Sequence, residues 1–228
     1  MQYLLDTADV AAIRRLVEFY PLAGVTTNPT LVARAKRPFL ELIEDIRAAI
    51  GPQAMLHVQV TATDAETMVK EAQRLGQIVG AGFHAKVPLT AEGLKAIRLM
   101  AGEGIPVTAT AVITPQQALF AARAGASFVA PYVNRIDMIG GHGVGVVAAI
   151  AQLFSRFSLS TRLLTASFKT VRQVEAVALA GAHSATVAPE LLEQIIHHPL
   201  TDAGIAGFSA DWAEAYGVGR TVLDVLDD

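Results

Sequence analysis

The sequence predicts an α/β protein, a (β/α)8 TIM barrel folded as a single domain over residues 1–228, with an extra C-terminal helix at 200–217. Three observations carry that reading. Short apolar runs alternate with longer helix-like stretches about eight times, the pattern of a parallel sheet with helices outside it. Polar residues inside those runs fall two apart, so they share one face of each strand. The apolar share, 52% with only 6% aromatic, comes from Ala, Val, Leu and Ile, which suits strands buried on both faces. Such barrels run to roughly 250 residues as one unit. An open, doubly wound sheet is the alternative topology.

The strand candidates, in order, are 3–6 (YLLD), 22–28 (LAGVTTN), 55–60 (MLHVQV), 83–88 (FHAKVP), 107–112 (VTATAV), 127–133 (SFVAPYV), 162–168 (RLLTASF) and 184–189 (SATVAP). Helical stretches lie between them at 8–19, 38–49, 64–75, 91–101, 115–123, 143–155, 171–179 and 189–196. Asp64, Thr90 and Thr114-Pro115 are start signals: an oxygen-bearing side chain satisfies the first free N–H groups, and Pro loses nothing in a first turn. Gly125 and Gly181 sit where helices stop.

The polar set within the strands is Asp6, Thr26 and Asn28, His57 and Gln59, His84 and Lys86, Thr108 and Thr110, Tyr132, and Thr165 and Ser167. Between them lie Leu5, Val25, Val58, Ala85, Val87, Ala109, Val133, Leu164 and Ala166. One strand face therefore meets helices and the other meets a polar centre. The polar groups cluster toward the C-terminal strand ends, where barrel enzymes place their chemistry.

Other classes recede. A net charge of −3 offers no broad basic surface to nucleic acid or an anionic membrane. Without cysteine there are no disulfides or thiolate metal sites. The opening MQYLLDTADVAAIRR lacks the basic-then-apolar order of a signal peptide, and no apolar run reaches the ~20 residues that span a bilayer. The expectation is a soluble, cytoplasmic protein. Gly140-Gly141-His142-Gly143 lacks the spacing and the Lys-Ser/Thr ending of a nucleotide phosphate loop and reads as a plain loop. His197-His198 has no carboxylate cluster beside it and reads as a solvated helix terminus rather than a metal site.

Lys86 is the residue that points to chemistry. A lysine on the inner face of a barrel strand has poor access to water, so its ammonium form is disfavoured and its pKa falls. The neutral amine is the form that attacks a carbonyl, and burial itself supplies the activation. The plainer reading is a buried lysine paired with Asp6 for structure alone.

Five segments extend this argument: Asp6 in LLDTAD, GVTTNPT (24–30), KVPLTAEG (86–93), APYVNRID (130–137) and TASFKT (165–170). In order and spacing they resemble the transaldolase family, most closely its small bacterial branch, the fructose-6-phosphate aldolases. The resemblance implies a (β/α)8 barrel and an aldol reaction through a lysine Schiff base, with no metal or other cofactor. It puts Lys86 at the Schiff-base lysine and Asp6 at the acidic residue that helps with protons and a substrate hydroxyl. Gln59, Thr110 and Tyr132 match the trio that holds the catalytic water. Thr26 and Asn28 match contacts to ketose hydroxyls, and Arg135, Ser167 and Lys169 lie where the family binds phosphate. Singly, each has a plainer meaning. Thr26 and Thr110 suit any strand, Ser167 suits a helix cap, and Arg135 with Asp137 suits a surface pair worth under about 1 kcal/mol.

Gln59 and Tyr132 separate the branches. Transaldolases resemble this pattern but usually carry Glu and Phe at those positions. A phenol exchanges a proton and a phenyl ring does not, so Tyr132 suits an acid/base working through water. The resemblance thus implies a lyase that makes or splits fructose 6-phosphate from dihydroxyacetone and glyceraldehyde 3-phosphate. The alternative is a transaldolase that moves dihydroxyacetone between sugar phosphates. A non-catalytic sugar-phosphate binding protein is a third reading. A phosphate-directed lysine decarboxylase would want an Asp-Lys-Asp cluster that the chain lacks.

His57 and His84 depart from the family, which usually has apolar residues there. Parity turns both inward, one layer beneath Gln59 and Lys86. They read as a hydrogen-bonded core pair, or, more sharply, as a pair in which protonated His84 lowers the pKa of Lys86. In the tail, Phe208, Trp212 and Tyr216 recur every four residues and share a helix face. The resemblance implies that this helix packs on a neighbour in a ring-like homo-oligomer, a pentamer or decamer. The closing GVGRTVLDVLDD extends past the usual family end and has no assigned role.

Overall fold

The computed structural model describes residues 1–227. The chain divides into two compact units, Met1–Leu191 and a helical one from Leu192 onward. In the first, eight strands close into a barrel in sequence order: β1 (Gln2–Asp6), β2 (Leu22–Thr26), β3 (Met55–Gln59), β4 (Phe83–Pro88), β5 (Val107–Val112), β6 (Phe128–Pro131), β7 (Arg162–Thr165) and β8 (Ser184–Val187). Every pairing is parallel, and β8 pairs with β1 to complete the circle. The open-sheet alternative is thereby excluded. Among the described residues no helix is long and apolar enough to cross a membrane.

The connecting helices are α1 (Val10–Phe19), α2 (Pro29–Ala35), α3 (Phe39–Ile50), α4 (Ala65–Val79), α5 (Ala91–Gly102), α6 (Pro115–Arg123), α7 (Val133–Met138), α8 (Gly143–Arg156), α9 (Val171–Leu179) and α10 (Pro189–Ile196). Local chemistry sets their starts. The side chains of Asp64 and Thr90 accept from the main-chain N–H of Thr67 and Gly93. Thr114 and Gln117 form a reciprocal capping box, with Pro115 opening the turn. Gly125 and Gly181, at φ of 102° and 95°, follow two helix ends in a conformation that disfavours a Cβ.

Two strand candidates end early and give way to short helices that the sequence reading did not include, α2 and α7. The segment 22–28 leaves the sheet after Thr26, because Asn28 turns to cap α2 and Pro29 begins it. The segment 127–133 leaves after Pro131, and Tyr132 stands at the head of α7. At α2 a capping Asn followed by Pro at the first helical position outweighs the local apolar run; at α7 no side chain caps the start.

Register fixes what faces inward, since parallel partners lie side by side on one face. Thr26 pairs with His57, His57 with His84, Gln59 with Lys86, Lys86 with Thr108, and Thr108 with Phe128. The inner face follows the expected parity on β1 through β5. On β7 it does not. Phe128 pairs with Arg162, and Leu164 pairs with Ser184. The inward series is therefore Arg162, Leu164 and Ala166, and Thr165 faces the helices, donating its hydroxyl to the Ser184 carbonyl at 3.0 Å. Thr165 misled the parity argument because its hydroxyl is satisfied by backbone.

Leu4, Phe128 and Leu164 form an apolar floor with Met55. Gly24 belongs to this layer: a Cβ there would stand 2.0 Å from the Met55 carbonyl oxygen. Above the floor the interior turns polar. Outward-facing Leu5, Val25, Val58, Ala85, Val87 and Ala109 are essentially inaccessible to water. Burying each larger aliphatic side chain contributes about 1.5–3 kcal/mol, and this shell holds the strands against their helices.

The second unit contains α11 (Pro199–Tyr216), the helix expected at 200–217, and α12 (Val222–Leu226). His198 caps α11 by accepting from Leu200 N, consistent with a helix terminus. Trp212 stacks on Tyr216 at 4.4 Å and donates its indole N–H to the Arg220 carbonyl at 2.8 Å, folding the closing segment back along the helix.

Candidate active site

Lys86 occupies β4 with only 5% of its surface exposed. Ala85 and Val87, its neighbours in sequence, point to the helices and lock the strand. Its Nζ donates to the Thr27 carbonyl at 2.6 Å. That oxygen is available because the chain leaves β2 just there, turning toward α2. Burial pushes the amine below its ordinary value of 10.5, and the Asp6 carboxylate pulls in the opposite direction. Desolvation is the larger effect, so the neutral, nucleophilic form is more accessible than in a surface lysine.

Asp6, at the end of β1, accepts from the Thr26 hydroxyl at 2.7 Å. The Thr26 oxygen also lies 2.7 Å from that of Thr186 on β8. Thr26 has one hydroxyl proton and gives it to Asp6, so Thr186 is the donor in the second bond. The chain Thr186→Thr26→Asp6 polarises toward the carboxylate. Sequence reasoning missed Thr186, although the alternation Ser184-Ala185-Thr186-Val187 carried the same signal as the other strands. It also missed Thr27, whose role is made by a carbonyl oxygen that no side-chain pattern reveals.

Thr110 and Tyr132 meet across β5 and β6 with their hydroxyl oxygens 3.0 Å apart. A bulge in β5, with Ala111 at φ 59°, shifts the register between Ala109 and Val112 and aligns the two. Gln59 lies beside Lys86 as its register partner and is half-buried; among the described residues its amide has no protein partner. Asn28 accepts from Leu31 N through Oδ1, which leaves its NH2 group to donate. An amine, a carboxylate, four hydroxyls and two amides thus lie on or just past the C-terminal halves of the barrel strands.

The cationic groups lie farther out. Arg135, in α7, is exposed and stands over the Tyr132 ring, 5.4 Å from its centre. Asp137 does not pair with it: the Asp137 oxygens accept from Gly143 N and Gln173 Nε2, each at 2.8 Å. Lys169 is exposed, and Ser167 is held at φ 63°, a left-handed conformation uncommon for a residue with a side chain. Ser167 does not cap the next helix; Thr170 does. Among the described residues neither cation has an ion-pair partner, and two such groups with a strained polar turn suit an anionic ligand.

Beneath the amine, His57 and His84 stack with ring centres 4.4 Å apart and 13° between planes. They do not hydrogen-bond to each other. His57 Nδ1 lies 2.8 Å from the Thr108 hydroxyl, and His84 Nδ1 lies 3.0 Å from the Gly82 carbonyl. Phe128 packs edge-on against both rings. His57 is wholly buried, and among the described residues its Nε2 has no partner. Its pKa is well below 6.5 through burial, then through His84 and Lys86. Burial also lowers His84, opposed by the Gly82 carbonyl. Lys86 is one of the charges that hold His57 low, while the lowering of Lys86 itself comes from burial.

A cavity of about 950 Å³ is lined by the turn after β1 and by residues of α1, α2 and α3. Its lining mixes Arg14, Arg34 and Arg37 with Glu18 and Asp45, and Arg37 already pairs with Asp45 at 2.6 Å. It holds none of the groups assembled around Lys86.

Residues 3–218 match the profile of the family described as transaldolase/fructose-6-phosphate aldolase. Among solved structures, the chain is similar to dihydrodipicolinate synthase from Rhodopseudomonas palustris, at 17% identity and a TM-score of 0.62. That alignment covers 95% of this chain and 79% of the other, and it speaks for the barrel fold alone.

Proposed function

Since the chain belongs to the transaldolase/fructose-6-phosphate aldolase family, an enzyme family of aldol chemistry, we propose that it is a Schiff-base aldolase. Its reaction is the reversible cleavage of fructose 6-phosphate to dihydroxyacetone and glyceraldehyde 3-phosphate. The observation that carries this reading is the buried Lys86 amine, with a pKa lowered by burial against the pull of Asp6.

Lys86 attacks the C2 carbonyl of the open-chain ketose, and loss of water from the carbinolamine gives an iminium. Tyr132, acting through a water held with Gln59 and Thr110, takes the C4 hydroxyl proton. The O–H electrons form the new aldehyde, and the C3–C4 bonding pair moves into the iminium to give an enamine. Glyceraldehyde 3-phosphate leaves. Protonation at C3 and hydrolysis then free dihydroxyacetone and the amine. Asp6 assists proton transfer at the amine and holds a substrate hydroxyl. Thr26 and Asn28 orient the ketose hydroxyls, while Arg135, Ser167 and Lys169 take the phosphate. The lysine nitrogen supplies the electron sink.

The phenol at Tyr132 and the amide at Gln59 favour cleavage over transfer. The test is to supply fructose 6-phosphate with and without erythrose 4-phosphate. Release of free dihydroxyacetone at the same rate without the acceptor supports the aldolase. Turnover that needs the acceptor makes the protein a transaldolase instead.

A further inference from the structure

Among the described residues, Gln173, in the first turn of α9, is the side chain whose hydrogen bonds join α7, which bears Arg135, to the turn that bears Lys169, and we propose that it is the positioning residue of the phosphate subsite. The inference rests on the phosphate reading of Arg135, Ser167 and Lys169.

Its Oε1 accepts from the main-chain N–H of Lys169 at 2.8 Å and of Thr170 at 3.3 Å. Both partners are donors, so only the amide oxygen can face them, and the NH2 group must point the other way. There Nε2 donates to Asp137 Oδ2 at 2.8 Å and more weakly to Asn134 Oδ1 at 3.4 Å. The remaining Asp137 oxygen accepts from Gly143 N. One amide thus ties the turn after β7 to α7, and Asp137 carries the tie to the start of α8. Asn134 N donates to the Ser167 carbonyl at 2.8 Å alongside it.

Helix capping alone does not account for this. Gln117 makes the same capping box at α6, accepting from Ile113 N and Thr114 N. Among the described residues the Gln117 NH2 group reaches no partner. The extra bonds of Gln173 lie only where Arg135 stands two residues before Asp137 and Lys169 stands four before Gln173. Both cations are exposed on long, flexible stems, so their backbones need a fixed separation if both are to grip one phosphate. The bridge also holds Ser167 in its left-handed turn, a conformation that persists only where its surroundings enforce it. Positioning of this kind is lost steeply with small displacements.

The test is aldol addition of dihydroxyacetone to glyceraldehyde 3-phosphate and, separately, to glyceraldehyde. Gln173→Glu keeps both capping acceptors but sets a carboxylate against Asp137. Its KM for the phosphorylated aldehyde should rise roughly tenfold, with a much smaller change for glyceraldehyde and in kcat. Asp137→Asn removes a negative charge near the anion, yet should also raise that KM, because a donor then faces a donor. The double variant Gln173→Glu/Asp137→Asn restores a donor–acceptor pair at the original net charge and should recover KM to within about threefold. Gln117→Glu is the capping control. An unchanged KM in Gln173→Glu, a lower KM in Asp137→Asn, or no recovery in the double variant overturns the inference. Arg135→Ala tests the underlying reading separately. If it keeps the preference for the phosphorylated aldehyde, the phosphate assignment itself is wrong; if it loses the preference while Gln173→Glu does not, only the bridge fails.

Discussion

The Lys86 amine donates to the Thr27 carbonyl at 2.6 Å, so the reacting nitrogen is held by main chain rather than by a carboxylate. A carbonyl partner fixes direction without adding a full negative charge. Asp6 acts on the amine electrostatically and raises its pKa against the larger effect of burial. Asp6→Asn should therefore let the Lys86 pKa fall further. The midpoint of the pH dependence of borohydride trapping with dihydroxyacetone should move to lower pH, even as turnover falls. A midpoint that moves upward would contradict this balance of charges.

Tyr132→Phe should separate binding from bond cleavage. The variant loses the 3.0 Å bond to Thr110 and the proton-transferring phenol. Turnover should drop by about 10²–10⁴-fold, while adduct formation at Lys86 continues. The stability cost should stay near 1 kcal/mol. Steady-state cleavage of fructose 6-phosphate beside intact-mass trapping separates the two; equal loss of both would assign Tyr132 to folding or binding.

Thr186→Val removes the last donor in the chain to Asp6 and should cost about 1 kcal/mol of stability. The Thr26 hydroxyl keeps its bond to Asp6 but loses the bond polarising it, so kcat should fall several-fold. Urea unfolding and turnover measured on the same preparation check this. Wild-type turnover at reduced stability would make Thr186 purely structural.

The stacked histidines should make stability depend on acidity. Both imidazoles have folded pKa values below the ordinary 6.5, so the unfolded chain binds more protons. Their contribution is fully present above about pH 6.5 and is lost as pH falls through the folded values, at up to about 1.4 kcal/mol per pH unit for each ring. Replacing both, as in His57→Leu/His84→Phe, should flatten the urea midpoint between pH 6.5 and 5. An unchanged slope would show that other groups set the acid limb. His84→Val alone should leave the pH profile of Lys86 trapping unchanged.

Much of this was legible in the sequence because alternation with a period of two encodes a strand face. Asp6, Thr26, Gln59, Lys86 and Thr110 fell on that face, and the register sets Asp6 beside Thr26 and Gln59 beside Lys86. The rule failed where backbone takes over. Thr165 looks inward by polarity but is satisfied by a neighbouring carbonyl. Thr27 contributes an oxygen that every residue has. The Gln173 bridge spans sequence separations of 36 and 39 residues, and its sequence signature is indistinguishable from the ordinary cap at Gln117. The match to the family stops at residue 218, and α12 lies beyond it.

The proposed chemistry depends on Lys86 forming a covalent imine with a ketone. Incubation with dihydroxyacetone and borohydride, followed by intact-mass and peptide analysis, tests it most directly. A single stable adduct, with the mass of dihydroxyacetone joined through a reduced imine, should form on Lys86 and be absent from Lys86→Met. No adduct, or an adduct on another lysine that persists in Lys86→Met, would contradict it.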